Sequence, residues 1–257
     1  MPKKTISDRE LRELYSSSIG MHRPPEPKSG PLHPEEEPIS GPRCRILLVG
    51  GEKGGSGKSC LAQNLAVWLQ QQGKDVMILD ADPQGTTADW SAERGQNDSL
   101  PSMPCVQASG NLRKTVLDLA RRCDCLVIDA GGQDSEALRS AMTVATHLLL
   151  PFRPKRRDLK TLAQVEQLVK LATAVNPSLK SRAVITQCPT LPSQAQRILD
   201  AKGACSSFGV EPLQAITYAR NIYDDADESG SSVLETKTDP KAAEEIAVLA
   251  KEFLEAP

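Results

Sequence analysis

The run Gly50-Gly-Glu-Lys-Gly-Gly-Ser-Gly-Lys-Ser59 restricts this 257-residue chain more than any other stretch. It follows the apolar segment Ile46–Val49 and leads into a helical pattern over Ser59–Gln72. Strand, glycine-rich loop and helix, in that order, are what a phosphate-binding loop requires. Glycines let the backbone come close to phosphate oxygens, and the N–H groups of loop and helix N-terminus favour the negative charge. Gly54, Gly55, Ser56, Gly57, Lys58, Ser59 and Cys60 form the expected nucleotide-binding set. In such loops the lysine, here Lys58, reaches the β- and γ-phosphates, and the hydroxyl, here Ser59, holds Mg²⁺. Two features depart from the common spacing. Glu52 stands where the first glycine belongs, and a second lysine, Lys53, follows it.

Further apolar runs recur at Val76–Leu79, Leu126–Ile128, Leu148–Leu150 and Ala183–Ile185. They are continuous rather than alternating, as expected of strands covered on both faces. Helical patterns separate them over Thr86–Arg94, Leu112–Arg121, Ser135–Thr143, Asp158–Ala174 and Gln194–Lys202, and a last one fits Pro240–Leu254. The alternation predicts an α/β fold with a doubly wound, mostly parallel central sheet flanked by helices. Acids end two of the strands: Asp129 closes Cys125–Asp129, and Asp80 with Asp82 follows Val76–Leu79. Ligands of α/β sheets gather at those carboxyl ends. A carboxylate placed there calls for a cation or for hydrogen-bond donors.

Residues 1–44 read as an extension. They hold eight of the nineteen prolines and balance seven Lys/Arg against seven Asp/Glu. Ser7-Asp-Arg-Glu10 fits a capping box, so a short helix over Asp8–Ser17 is expected, either docked or frayed. The domain that carries the phosphate loop then spans 45–257. Nothing at the start resembles a signal peptide, and no apolar run is long enough for a membrane span, which predicts a soluble cytoplasmic protein. The seven cysteines show no paired ligand spacing, so Cys123 and Cys125 read as buried thiols rather than zinc ligands. Charge is segregated. Residues 151–220 carry eleven Lys/Arg against four Asp/Glu, and residues 221–257 carry three against ten. The basic block either meets an anionic partner or is neutralised by the acidic tail.

Three stretches together, "EKGGSGKS", "ILDADPQGTTADW" and "CLVIDAGG", resemble the ParA branch of the ParA/MinD deviant Walker ATPases, and the small plasmid-segregation ParA proteins in particular. "AITYARNIYDDADESGSSVLE" is similar to the segment those proteins carry before their last helix. The resemblance implies ATP and Mg²⁺ as cofactors. It implies an ATP sandwich dimer in which Lys53 reaches the partner's nucleotide while Lys58 serves its own. Asp82 would orient the attacking water, and Ser59, Asp80 and Asp129 would serve the metal. It tolerates Glu52. After Asp129, however, the family's proline-containing turn is replaced by Ala130-Gly-Gly-Gln133.

Members of such a family differ in the surface they bind. The C-terminal helical pattern has a mainly acidic polar face, which disfavours anionic lipid. The basic segment 151–220 instead suits the phosphates of duplex DNA, contacted without sequence preference. The reading is therefore a nucleoid-associated DNA partition ATPase stimulated by a centromere-binding ParB-like partner. The alternative is a relative that positions a protein cargo, such as a conjugation complex or a microcompartment. A metabolic relative with an iron–sulfur cluster needs a cysteine from each subunit at the dimer axis, and Cys123 and Cys125 flank the start of a strand rather than a switch loop.

Overall fold

The computed structural model describes residues 44–51, 53–132 and 136–255. The helix expected over Asp8–Ser17, Glu52 and Gln133 lie outside them. Among the described residues there are seven strands: β1 (Arg45–Val49), β2 (Val76–Asp80), β3 (Cys105–Gln107), β4 (Cys125–Asp129), β5 (His147–Phe152), β6 (Lys180–Cys188) and β7 (Pro212–Tyr218). They form one sheet in the order β3-β2-β4-β1-β5-β6-β7, and every pairing is parallel. The expected "mostly parallel" sheet is thus wholly so.

The helices are α1 (Lys58–Gln71), α2 (Thr86–Arg94), α3 (Arg113–Leu119), α4 (Glu136–Met142), α5 (Arg156–Leu159), α6 (Leu162–Val175), α7 (Ala195–Ser207), α8 (Ile222–Asp227) and α9 (Pro240–Glu255). Helices α1, α2, α8 and α9 cover one face, packing Leu65, Trp90, Ala226 and Phe253 against Leu47, Ile78 and Val127. Helices α3, α4, α6 and α7 cover the other, where Val116, Leu138, Val165 and Ile198 meet Leu48, Ile128 and Leu150. The chain leaves β1 towards the first face and β4 towards the second. Because β1 and β4 are neighbours, a crevice opens between their carboxyl ends, where α/β ligands bind.

Sequence reading missed β3, β7 and α8. β3 is three residues long, and neither it nor β7 has a continuous apolar run; β7 alternates buried and partly exposed residues. That alternation is the mark of an edge strand. Its outer N–H groups are taken by α9: Glu252 accepts from Gln214 N at 2.6 Å and from Ala215 N at 2.7 Å, and Glu245 accepts from Tyr218 N at 3.0 Å. Two of the acids on α9 thereby close an otherwise open edge. The apolar stripe of α9 (Ile246, Leu249, Ala250 and Phe253) is fully buried against the sheet. Among the described residues no helix is long and apolar enough to cross a membrane.

The segment 230–235 ties α1 and α2 together. The Trp90 indole donates to Ser231 O at 2.8 Å, and Asn64 Oδ1 accepts from Ser232 Oγ at 2.7 Å. Arg94, fully buried, lies over the Trp90 ring and bonds Glu235 through both terminal nitrogens, at 2.8 and 2.6 Å. Removing one member of a buried ion pair strands the other charge, which costs about 3–5 kcal/mol. Glu235→Ala is therefore expected to lower the unfolding free energy in urea by about that amount. Glu166→Ala, which breaks the exposed Lys170–Glu166 pair on α6, should change it by less than about 0.5 kcal/mol.

Candidate nucleotide and metal site

Gly55 and Gly57 have φ of 71° and 87°, a left-handed conformation that other residues adopt only at a cost. Gly57 is the N-cap of α1, and no side chain caps the helix there, so its first N–H groups face the loop. Lys58 is buried, and its Nζ donates to Lys53 O at 2.8 Å; Ser56 Oγ donates to the same carbonyl at 3.3 Å. Burial pushes the Lys58 pKa down, Asp129 and Asp82 oppose that shift, and Arg153 adds to it. Lys58 thus sits in the field of both acids. Lys53 itself is half-buried on the rim, and its ammonium has no partner among the described residues.

The loop is held from outside by two strand ends. Arg153, after β5, is fixed by the buried Asp158 at 2.6 Å and donates to Gly54 O at 3.4 Å. Thr186 donates to Ser56 O at 2.8 Å, and Gln187 Nε2 to Gly55 O at 2.9 Å. Gln187 is a non-glycine residue at φ 49°, a strained conformation of the kind that clusters at functional sites. Beside them a cavity of about 290 Å³ runs from Gly57 and Cys60 to Thr217, Tyr218, Asn221 and Tyr223. Its far wall is the "TYARNIY" stretch that begins at the end of β7. Only the resemblance, not the pattern of the residues, marked that stretch in the sequence.

The acids behave differently from one another. Asp80 and Asp129 lie directly across from each other on β2 and β4. Both Asp80 oxygens accept backbone N–H groups, from Asp82 at 3.0 Å and from Ala88 at 2.8 Å, so this carboxylate shapes the loop between β2 and α2. Asp129 is fully buried. Its Oδ2 accepts from Thr87 Oγ1 at 2.7 Å, while Oδ1 has no hydrogen-bond partner among the described residues. Ser59 lies near enough to draw its pKa down, but burial dominates and pushes it up to about 6. Asp82 is partly exposed and accepts from Gln84 N at 3.0 Å. A Cβ on Gly131 would stand 3.1 Å from the Asp82 carboxylate. The Ala130-Gly131-Gly132 departure thus leaves room for Asp82 to close against the end of β4.

A buried carboxylate oxygen without a partner among the described residues, on an acid whose pKa Ser59 and Lys58 both draw down, fits a hydrated divalent cation. Ser59 and Asp129 are the residues that would hold Mg²⁺, and the ion would neutralise phosphate charge. Cys125 is buried and Cys123 half-buried, with the Cys123 sulfur 3.9 Å from that of Cys44. They lie near the amino ends of β4 and β1, away from the crevice.

Residues 47–201 match the CobQ/CobB/MinD/ParA nucleotide-binding domain. The chain belongs to this family. It is a P-loop ATPase of the ParA/MinD kind, working with ATP and Mg²⁺. It is 26% identical over 211 residues to the maintenance of carboxysome distribution protein A of Halothiobacillus neapolitanus, covering 81% of this chain and 95% of that protein. It is 25% identical over 178 residues to the protein ParA of Rhizobium radiobacter, covering 69% and 80%. The ATP complex of a Cyanothece McdA variant superposes with a TM-score of 0.66 at 16% identity, covering 83% and 97%. The Mg-ADP complex of MinD from Pyrococcus horikoshii superposes at 0.61 and 17% identity, covering 81% and 95%. At these identities the structural likenesses show the fold alone.

The Asp129 shift sets a pH dependence for the nucleotide- and metal-free protein. Its pKa of about 6 in the folded state exceeds the unfolded value of about 3.9, so the folded state holds the proton more tightly. Its contribution is present below about pH 4 and is lost as pH rises through about 6. Asp129→Asn should therefore gain stability over wild type by roughly 2–3 kcal/mol between pH 4 and pH 7 in urea titrations.

Proposed function

We propose that this ATPase is a DNA partition motor. As an ATP-bound homodimer it binds nucleoid DNA without sequence preference, and a centromere-binding ParB-like partner stimulates hydrolysis and carries the cargo. The observation that carries this reading is the pair of lysines. Lys58 is buried and turned to the inside of its own loop, whereas Lys53 is half-buried and its ammonium has no partner among the described residues. A cation on the rim serves a second subunit's nucleotide better than its own. In the proposed dimer Lys58 holds the cis phosphates, Lys53 the trans ones, and Asp82 orients the attacking water. Ser59 and Asp129 hold the metal, with Asp80 shaping the switch loop beside them.

The DNA surface is narrower than the basic segment as a whole. Arg220 is committed to Glu245 and Asp239, Arg153 to Asp158, and Lys202 to Gln214 O. Lys155, Arg156, Arg157 and Lys160 are exposed around α5, at the same end of the sheet as the nucleotide loop. Lys180 opens β6 at the opposite end, about 25 Å away. The α5 cluster is the part assigned here to DNA.

A second reading keeps the same ATPase and changes the cargo to a protein assembly. It is favoured by the relatives from Halothiobacillus neapolitanus and Gloeobacter kilaueensis, both named for carboxysome distribution.

Lys53→Ala should bind ATP as wild type does yet fail to dimerise on ATP or to hydrolyse it, as read by light scattering and phosphate release. Wild-type behaviour in both assays would remove the sandwich-dimer reading. DNA retention should require ATP, be lost with ADP and in Lys58→Ala, and weaken steeply with salt. Charge reversal at Arg156 and Arg157 should flatten that salt slope by about one to two units. Equal DNA binding with and without ATP would sink the motor reading. Co-purification from native cells separates the two cargoes: a DNA-binding partner with its replicon supports the first, and a DNA-free protein assembly the second.

A further inference from the structure

We propose that Thr87 is the positioning residue that presents the Asp129 carboxylate to the metal and links that carboxylate to the loop carrying Asp82.

Thr87 is fully buried in the first turn of α2, five residues beyond Asp82. Its hydroxyl donates to Asp129 Oδ2 at 2.7 Å and accepts from Gln63 Nε2, itself buried on α1, at 3.5 Å. A hydroxyl has one proton. With that proton given to the carboxylate, only a lone pair remains for the Gln63 amide, so the donor order Gln63, Thr87, Asp129 is fixed. Such a chain strengthens the bond to the carboxylate, because each member polarises the next.

The consequence lies on the other oxygen. One Asp129 oxygen is held by Thr87, and the other is buried, without a partner among the described residues, on an acid that Ser59 lies near. Were the carboxylate free to rotate, either oxygen could turn to Thr87 or into the loop. The Thr87 bond selects one orientation and keeps Oδ1 open for the cation or for a water of its shell. The same bond ties the end of β4 to the start of α2. Asp80 secures that start from the neighbouring strand by accepting the Ala88 and Asp82 N–H groups. Asp82 therefore hangs between two anchored points, one of them made on the metal acid itself. Occupation of the metal site, acting on Asp129, is transmitted through Thr87 to the segment that bears Asp82.

This inference rests on the ATP–Mg²⁺ reading of the site. The test compares binding of a fluorescent ATP analogue to the full chain in EDTA and across a Mg²⁺ titration. Thr87→Val keeps the volume and removes the hydroxyl; Thr87→Ser keeps the hydroxyl. The expected result is unchanged binding in EDTA for both variants. The Mg²⁺ concentration giving the half-maximal affinity gain should rise about tenfold or more in Thr87→Val, as when the group orienting a metal ligand is lost, and stay within about twofold in Thr87→Ser. Hydrogen exchange should show Mg²⁺·ATP protecting residues 82–88 in wild type and Thr87→Ser but not in Thr87→Val. If Thr87→Val does not fold, Thr87→Ala replaces it, removing the same hydroxyl without placing a methyl against the carboxylate. Wild-type Mg²⁺ dependence in the variants lacking the hydroxyl overturns the proposal. So does a Thr87→Ser variant as impaired as Thr87→Val, since the methyl group would then be what matters. Wild-type protein indifferent to Mg²⁺ overturns the site reading itself, a result distinguishable from both.

Discussion

Two carboxylates placed side by side on adjacent parallel strands govern the rest of this molecule. Asp80 and Asp129 end β2 and β4 in register, so they face the same side of the sheet with little water around them. Burial raises the pKa of both, and the Asp80 charge adds to the rise at Asp129. The fold resolves the conflict by giving them different work. Asp80 is satisfied by two backbone N–H groups and organises the turn into α2. Asp129 has a hydrogen-bond partner on one oxygen only among the described residues, and Ser59 and Lys58 lie near enough to draw its pKa down. The turn that carries Asp82 and the loop that carries Lys58 are both arranged around this division.

The C-terminal portion of the chain supports that arrangement from behind. Residues 230–235 hold α1 through Asn64 and α2 through Trp90 and Arg94. The two helices that frame the nucleotide loop and the Asp82 turn are thereby fixed to one another. α9 seals the edge of the sheet with its own carboxylates. The acidity of the tail is in good part structural. Glu235, Glu245 and Glu252 are spent on Arg94, on Arg220 and on the backbone of β7. The same accounting removes Arg153 and Arg220 from the basic segment, so net charge by stretch of sequence overstated the free positive surface.

Particular elements show how far the sequence could be read. The strands with continuous apolar runs were legible because burial on both sides leaves a simple pattern. The expected helix over Asp158–Ala174 is two helices, Arg156–Leu159 and Leu162–Val175, with Thr161 between them accepting no continuous helical register. Its first turn is occupied by the Arg153–Asp158 pair, a contact to the nucleotide loop that no local pattern records. Thr186 and Gln187 are singled out by a pair of bonds to carbonyls some 130 residues away, which no local pattern records.

The sequence alone determined the chemistry of the site. A glycine-rich loop between a buried strand and a helix, with Lys58, Ser59 and strand-terminal acids, can hold a nucleotide and a metal because backbone geometry and residue type are local properties. Tertiary structure decided how those groups divide the work. Asp80 became a loop anchor and Asp129 the open acid through the register of β2 against β4 and a threonine 42 residues away in the chain. Gly131 made room for Asp82 only because two separate turns meet. Hydrogen bonds between distant segments depend on how the layers stack, and no window of sequence contains both partners.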